Sequence, residues 1–392
     1  MTTDYDIAVI GLGAVGAMAA WRAAAAGARV IGFEQFQPGH AHGSSHGGTR
    51  IFRRTLFEGV DYVPLIDASK ALWLELERET RRTLFTRTGG LVIGPHDEEV
   101  VRLALVSAEA GGFEHAVLDS DELASRYPQH TPTPGHVAVF EPGAGVLDPE
   151  ASIRAAVALA RELGGALISG ERVARVDGSG ADAVITTARG DTVRARRAIV
   201  ASGAWIGEMV PQLRLALSIQ RSSHVWFRGA DMSSFGVQRF PVFVREGGGF
   251  DLWGIPDVSA SGVKIGAGAS APKPALASPG ENVRTIDMRD TAPAESACSQ
   301  GIRGLVARAI RASACMNSRT PDGDFILGVH PAAPALVLAG GFSGHGFKHA
   351  TGSAQLCVDL ALEGASRIPN ERFHPTRFDG SLDEDLNGGS VL

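Results

Sequence analysis

Residues 5–16 read YDIAVIGLGAVG, and the fold class follows from how they are spaced. Tyr5 to Ile10 forms a short strand pattern, and Gly11-Leu12-Gly13-Ala14-Val15-Gly16 opens a helix that stays alanine-rich through Ala26. In this pattern Gly11 permits a tight turn, Gly13 lets backbone amides approach a pyrophosphate, and Gly16 lets the helix pack closely on the strand. The helix N-terminus then offers partial positive charge to phosphates. Ala28 to Phe33 reads as a second strand ending at Glu34, 18 residues after Gly16. A carboxylate there accepts hydrogen bonds from ribose hydroxyls and disfavours a 2′-phosphate. Motif, strand context and acid together point to a dinucleotide other than NADP, with Ala14, Val15 and Gln35 as further contacts. A plain glycine turn beside a surface glutamate is the competing reading.

Working outward, residues 37–54 read QPGHAHGSSHGGTRIFRR. His40, His42 and His46 invite a metal, but metal ligands need regular structure and supporting partners, and a Gly/Ser loop offers neither. The segment reads better as a lid over the cofactor, with Ser44, Ser45 and Thr49 in reach. Arg50 and Arg53, three apart, share a face if it turns helical.

The chain has 392 residues, enough for two lobes with a site between them. A net charge of −6 without a basic tract argues against a nucleic-acid surface. The first residues run straight into a strand without a charged leader, and no apolar run reaches membrane-spanning length. Cys298, Cys315 and Cys357 are an odd set without a CxxC pair, which fits a reducing compartment, so a cytoplasmic protein is expected.

Asp148-Pro149-Glu150 is a helix start, with Ile153, Ala156, Val157 and Ala160 on one face and Gly164-Gly165 as the stop. Short runs at 172–176, 183–187 and 192–194, separated by glycine turns, read as an antiparallel meander. It leads to a separate apolar strand at 197–201 and to Ser202-Gly203-Ala204-Trp205. A meander rather than a simple crossover shifts the dinucleotide from a nicotinamide cofactor toward FAD. The predicted organisation is α/β, with a Rossmann-like unit from 1–84, 146–214 and 315–378. A second, mainly antiparallel lobe comes from 85–145 and 215–314, and 379–392 reads as a disordered tail.

Several motifs in order carry a resemblance: GSSHGGTRIFRR, EGVDYVPL, the lone Lys264 in SGVKIG, Ala314-Cys315-Met316, Thr320-Pro321-Asp322 with Asp324-Phe325-Ile326, and GFSGHGFK. Across nearly its whole length the chain resembles the monomeric sarcosine oxidase and N-methyltryptophan oxidase family of flavoprotein amine oxidases. The resemblance implies a two-lobe flavoprotein of the glutathione-reductase and D-amino-acid-oxidase type. It also implies FAD bonded through its 8α carbon to Cys315 and lined by Val173, Ser202, Gly203, Trp205, Gly341, Phe342, Gly344 and Gly346. Arg53 and Lys348 match the family's clamp for the substrate carboxylate, a job suited to two fixed cations. Lys264 matches a lysine that promotes reaction with oxygen, where a cation stabilises superoxide. His46, Arg50 and His345 match positions near the flavin. The helix from about 352 to 362 is expected to direct its N-terminus at the flavin pyrimidine edge.

Two positions depart from the family. Trp253 in DLWGIP stands where the family has an active-site tyrosine, and Gly268 in KIGAGA where it has a histidine. A lost imidazole makes room at the amine end of the pocket, while a tryptophan closes part of it, and the sequence leaves the balance open. The expected activity is oxidation of a secondary amine, an N-methyl or cyclic amino acid, to an imine by a monomer, with oxygen reduced to hydrogen peroxide and aldehyde released by hydrolysis. A flavin dehydrogenase using another acceptor and an NAD-binding or non-enzymatic Rossmann protein are the alternatives. Ser343 in GFSGHG lacks the last glycine of a hydrolase elbow.

Overall fold

The computed structural model describes residues 4–210, 217–268, 271 and 273–378. The acidic tail and the lobe boundary expected at 214 lie outside them. One sheet has eight strands and contains the glycine turn. Its path runs Val173–Asp177, Ala183–Thr187, Thr192–Val200, Tyr5–Ile10, Val30–Glu34, Ala166–Ser169, and Leu336–Gly340 and Ile326–Val329 join it beside Thr192–Val200. Tyr5–Ile10 pairs in parallel with both Val30–Glu34 and Thr192–Val200. Ile7 to Ile10 are buried, as befits strands covered on both faces.

Helix Ala14–Ala25 packs against helices Pro149–Glu162 and Ala350–Glu363. Its small side chains permit the approach, with fully buried Trp21 filling the core beside them. Asp148 caps Pro149–Glu162 by accepting from the Ala151 amide at 2.9 Å, and Ile153, Ala156, Val157 and Ala160 are buried as the spacing predicts.

The meander forms, with one correction. The runs at 192–194 and 197–201 are one strand, Thr192–Val200, which pairs antiparallel with Ala183–Thr187 and then parallel with Tyr5–Ile10. No Gly or Pro interrupts residues 192–200, and Arg194, Arg196 and Arg197 sit at half-buried or exposed positions, so the charges do not break it.

The second sheet has nine strands, ordered Ala275–Leu276, Ser218–Phe227, Val263–Ala267, Phe250–Ile255, Val242–Gly247, Gly90–Pro95, His136–Glu141 and Ala116–Leu118. Arg311–Arg319, which carries Cys315, pairs antiparallel along Ser218–Phe227. Every pairing is antiparallel except Val242–Gly247 with Gly90–Pro95.

A small third sheet joins Arg50–Phe52, Gly145–Leu147 and Phe85–Arg87. The segment does not turn helical, so the condition under which Arg50 and Arg53 would share a face is not met. Ile51 and Phe52 favour an extended backbone, which finds its partner in Gly145–Leu147, and the two arginines end in different surroundings. Among the described residues no helix is long and apolar enough to cross a membrane.

Candidate active site

A cavity of about 970 Å³ runs from the glycine turn to the nine-stranded sheet. At the turn each glycine has a distinct reason. Gly11 has φ +88°, and a Cβ on Gly16 would stand 1.8 Å from the Gly11 carbonyl oxygen. A Cβ on Gly13 would meet nothing within 4 Å, so that space opens to the cavity and not to packed protein. Glu34 is buried at the strand end, accepting from the Leu12 amide at 2.9 Å and the Phe36 amide at 3.0 Å. Burial pushes its carboxyl up, but His40 and these two amides hold it below the usual range. Ala14, Val15, Gln35, Ser44, Ser45 and Thr49 line the same wall, with Val173, Ser202, Gly203 and Trp205 opposite. A cradle of this shape, open at Gly13 and bounded by an acid at the second strand's end, fits an extended dinucleotide.

The lid loop is held from beneath. Glu150, read in the sequence only as part of a helix start, accepts from the amides of Gly47 at 2.7 Å and Gly48 at 3.0 Å. Arg50 donates to the carbonyls of Ser44 at 2.6 Å and Thr49 at 2.9 Å. Lys264 donates to those of Gly47 at 2.6 Å and Thr49 at 3.0 Å. Lys264, His46 and Gly16 lie one layer behind the wall, whereas the other predicted site residues line it. Burial, then Arg50, pushes the Lys264 ammonium well down.

The two cations expected to form a clamp come from opposite ends of the chain and meet at one carboxylate. Arg53 and Lys348 are 6% and 5% exposed, so both cations have left water, and both reach Glu58. Arg53 lies 3.1 Å from both carboxylate oxygens, and Lys348 Nζ lies 2.7 Å from one. Burial alone would raise the Glu58 carboxyl, but Arg53, Lys348 and His345 together hold it well below its ordinary value. Burial brings Lys348 down to about 8 despite the opposing pull of Glu58. His345 is tied through Nε2 to the Gly323 carbonyl at 3.1 Å and is pushed to about 4 by burial, then Lys348. Gly341, Phe342, Gly344 and Gly346 shape the adjoining turn. Ser343 there adopts φ +48°, and its hydroxyl is bonded to Gly341 and Thr320, a scaffold role and not a nucleophile's. Glu58 lay inside a recognised motif, yet nothing in its spacing marked it as the clamp's counter-ion.

At the far end the two departures are each filled. The Trp253 indole lies over Gly266, where a Cβ would be 2.2 Å from the ring. A Cβ on Gly268 would be 1.4 Å from Asp251 Oδ1, so the space above this glycine belongs to a carboxylate. The space over each of these glycines is therefore taken by a neighbouring side chain. Glu246 also lines this end, and burial, then Asp251, raises its carboxyl.

Cys315 lines the cavity, 2% exposed, with Sγ 3.8 Å from the Ser44 carbonyl. One donor atom each from His46, His224 and Cys315 falls within 4.8 Å of the others. This set differs from the three loop histidines, and it includes His224, which the sequence did not single out. Arg50 and Lys264 stand beside it, opposing a divalent cation. Cys298 and Cys357 are fully buried, and burial pushes both thiols up to about 12.

Comparison with known proteins agrees with this geometry. A family profile described as FAD dependent oxidoreductase matches residues 6–360. The chain is 34% identical over 382 residues to a monomeric sarcosine oxidase of Streptomyces avermitilis, covering 96% of this chain and 99% of that one. It is 31% identical over 386 residues to an N-methyl-L-tryptophan oxidase of Escherichia coli, covering 95% and 99%. Among solved structures, NikD, an unusual amino acid oxidase essential for nikkomycin biosynthesis, superposes with a TM-score of 0.82 at 22% identity over 95% of this chain and 98% of its own. An L-proline dehydrogenase from P. horikoshii gives 0.82 at 20%, over 96% and 98%. Those two likenesses speak to fold.

Proposed function

Because the chain belongs to the FAD dependent oxidoreductase family, among amine oxidases related to sarcosine and N-methyltryptophan oxidases, we propose that it oxidises a secondary amino acid, N-methyl or cyclic, to an imine. Two electrons pass to oxygen to give hydrogen peroxide, and water then releases an aldehyde, formaldehyde from an N-methyl group. The observation that carries this reading is the convergence of Arg53 and Lys348 on one carboxylate, that of Glu58, which supports reading the pair as the seat of a substrate carboxylate.

Bound FAD supplies the two-electron acceptor; the protein's share is binding and electrostatics. Arg53 offers a planar fork and Lys348 a point charge, which fix the acid end and so orient the carbon that loses hydride. Trp253, which lines the cavity, narrows the amine end with an apolar ring. Lys264 and Arg50 set positive charge behind the lid, and negative charge arriving in the cavity draws the Lys264 ammonium back up. Cys315 is the proposed tether for the 8α carbon. The three buried, unpaired cysteines support a reducing, cytoplasmic setting.

The test is a peroxide assay over N-methyl amino acids, cyclic imino acids and the same amines without their carboxylate, beside a spectrum of acid-precipitated protein. The acids are expected to outrun the plain amines by about 100-fold, the worth of a desolvated two-cation clamp. Equal turnover of both would remove the clamp from the mechanism. Fast reoxidation by air, slowed in Lys264→Met, separates an oxidase from a dehydrogenase; slow reoxidation in the wild type would favour the latter.

A further inference from the structure

The cluster at Cys315 is built from three distant parts of the chain. Ser218–Phe227 and Arg311–Arg319 pair so that Cys315 faces Ser222 and Ser313 faces His224. Residues two apart on a strand share a face, so His224 is the diagonal neighbour of Cys315 on the cavity side. His46 arrives from the lid loop, its ring 5.4 Å from that of His224 and edge-on to it. A Cβ on Gly47 would lie 2.5 Å from His224 Nδ1, so only glycine lets the loop sit this close. Both histidines are more than nine-tenths buried, and among the described residues His46 Nε2 and His224 Nδ1 have no hydrogen-bond partner.

Burial, followed by Arg50 and neighbouring cations, keeps both imidazoles uncharged, His46 at about 3 and His224 well below its ordinary value. A neutral imidazole carries one N–H donor, and a sulfur that is giving up its proton is an acceptor. We infer that His224, braced by His46, is a positioning residue for the Cys315 sulfur during attachment of the flavin.

The inference rests on the proposed Cys315 tether. In that step a carbon–sulfur bond forms between Cys315 Sγ and the 8α carbon, and the S–H bond and one C–H bond of the 8α methyl break. The two protons and two electrons so released would pass to the flavin ring system, and oxygen would then take them as hydrogen peroxide. His224 supplies no atom. Its N–H stabilises the sulfur as the proton leaves and holds it on line.

The experiment uses full-length flavin-free protein mixed with FAD, following flavin retained in the acid-precipitated pellet over time and, separately, FAD affinity from fluorescence quenching before attachment. His224→Leu is expected to slow attachment about tenfold or more, the loss of a hydrogen bond to a charged group, with FAD affinity unchanged. His224→Asn keeps an N–H on a side chain of similar reach and is expected to restore most of the rate. Wild-type rates in His224→Leu would overturn the inference, as would a parallel loss of rate and affinity in both variants, which marks a packing role. A wild-type protein that retains no flavin in the pellet while binding FAD refutes the tether itself, a separate result from either of these.

Discussion

At Lys348 the electrostatics give a pH dependence with a definite sign. Its ammonium is held at about 8 because burial outweighs the pull of Glu58. Under the proposed clamp the charged form binds the substrate carboxylate, so kcat/KM for acidic substrates is expected to fall as pH rises through about 8, chiefly through KM. In Lys348→Arg that limb should vanish, since a guanidinium stays charged; a limb that persists belongs to another group. Glu58 predicts the opposite edge. Its folded-state carboxyl lies well below the ordinary 4.5, so its contribution to stability is full above that value and fades as pH falls through the folded one. Glu58→Gln leaves two buried cations without their counter-ion, and a loss of about 3 kcal/mol at neutral pH is expected from denaturant melts. An added N-methyl amino acid should restore more of the melting temperature in Glu58→Gln than in the wild type. Equal shifts would mean that Glu58 does not occupy the substrate's seat.

At the scale of elements, the glycine turn was legible because its chemistry is local. Within twelve residues the structure gives Gly11 a positive φ, Gly13 open space beside the cavity and Gly16 a backbone approach, matching the three reasons the spacing suggested for a turn, a ligand wall and a helix contact. Gly13→Ala is therefore expected to leave the melting temperature of flavin-free protein unchanged while weakening FAD binding. Gly16→Ala must push the helix off the Gly11 carbonyl and should damage both; a normal melt for Gly16→Ala would contradict the 1.8 Å approach. The helix starting at Pro149 was equally legible from its cap and spacing. Arg50–Phe52 was not, because a three-residue strand exists only through Gly145–Leu147, almost a hundred positions away. The amine end was hidden for the same reason. Asp251 fills the gap over Gly268 through the pairing of neighbouring strands, Phe250–Ile255 with Val263–Ala267, which no local pattern encodes. Gly268→Ala alone should then destabilise the protein, while Gly268→Ala with Asp251→Ala should recover at least about 1 kcal/mol of coupling in a double-mutant cycle. Additive effects would show that Asp251 does not own that space.

Across the whole molecule the site is a meeting of segments that only folding unites. Arg53 and Lys348 close the clamp from opposite ends of the chain, and His46, His224 and Cys315 join the lid to two strands of the larger sheet. The sequence pointed to each clamp cation through a motif, but Glu58 and His224 emerge only where charge and strand register bring them in. A ligand in the cavity touches both large sheets, so it stabilises the folded chain by mass action when free to leave, and independently of concentration when tethered. Under the proposed tether, the wild-type melting temperature should not change on tenfold dilution or with added FAD. Cys315→Ala should still bind FAD, with its melting temperature rising by about 2 °C for each tenfold increase in free FAD. Calorimetry on the two proteins at matched concentration makes the comparison. A wild-type transition that climbs with FAD as the variant's does would show that the flavin is held by the cradle alone and that Cys315 lines the cavity without closing a bond.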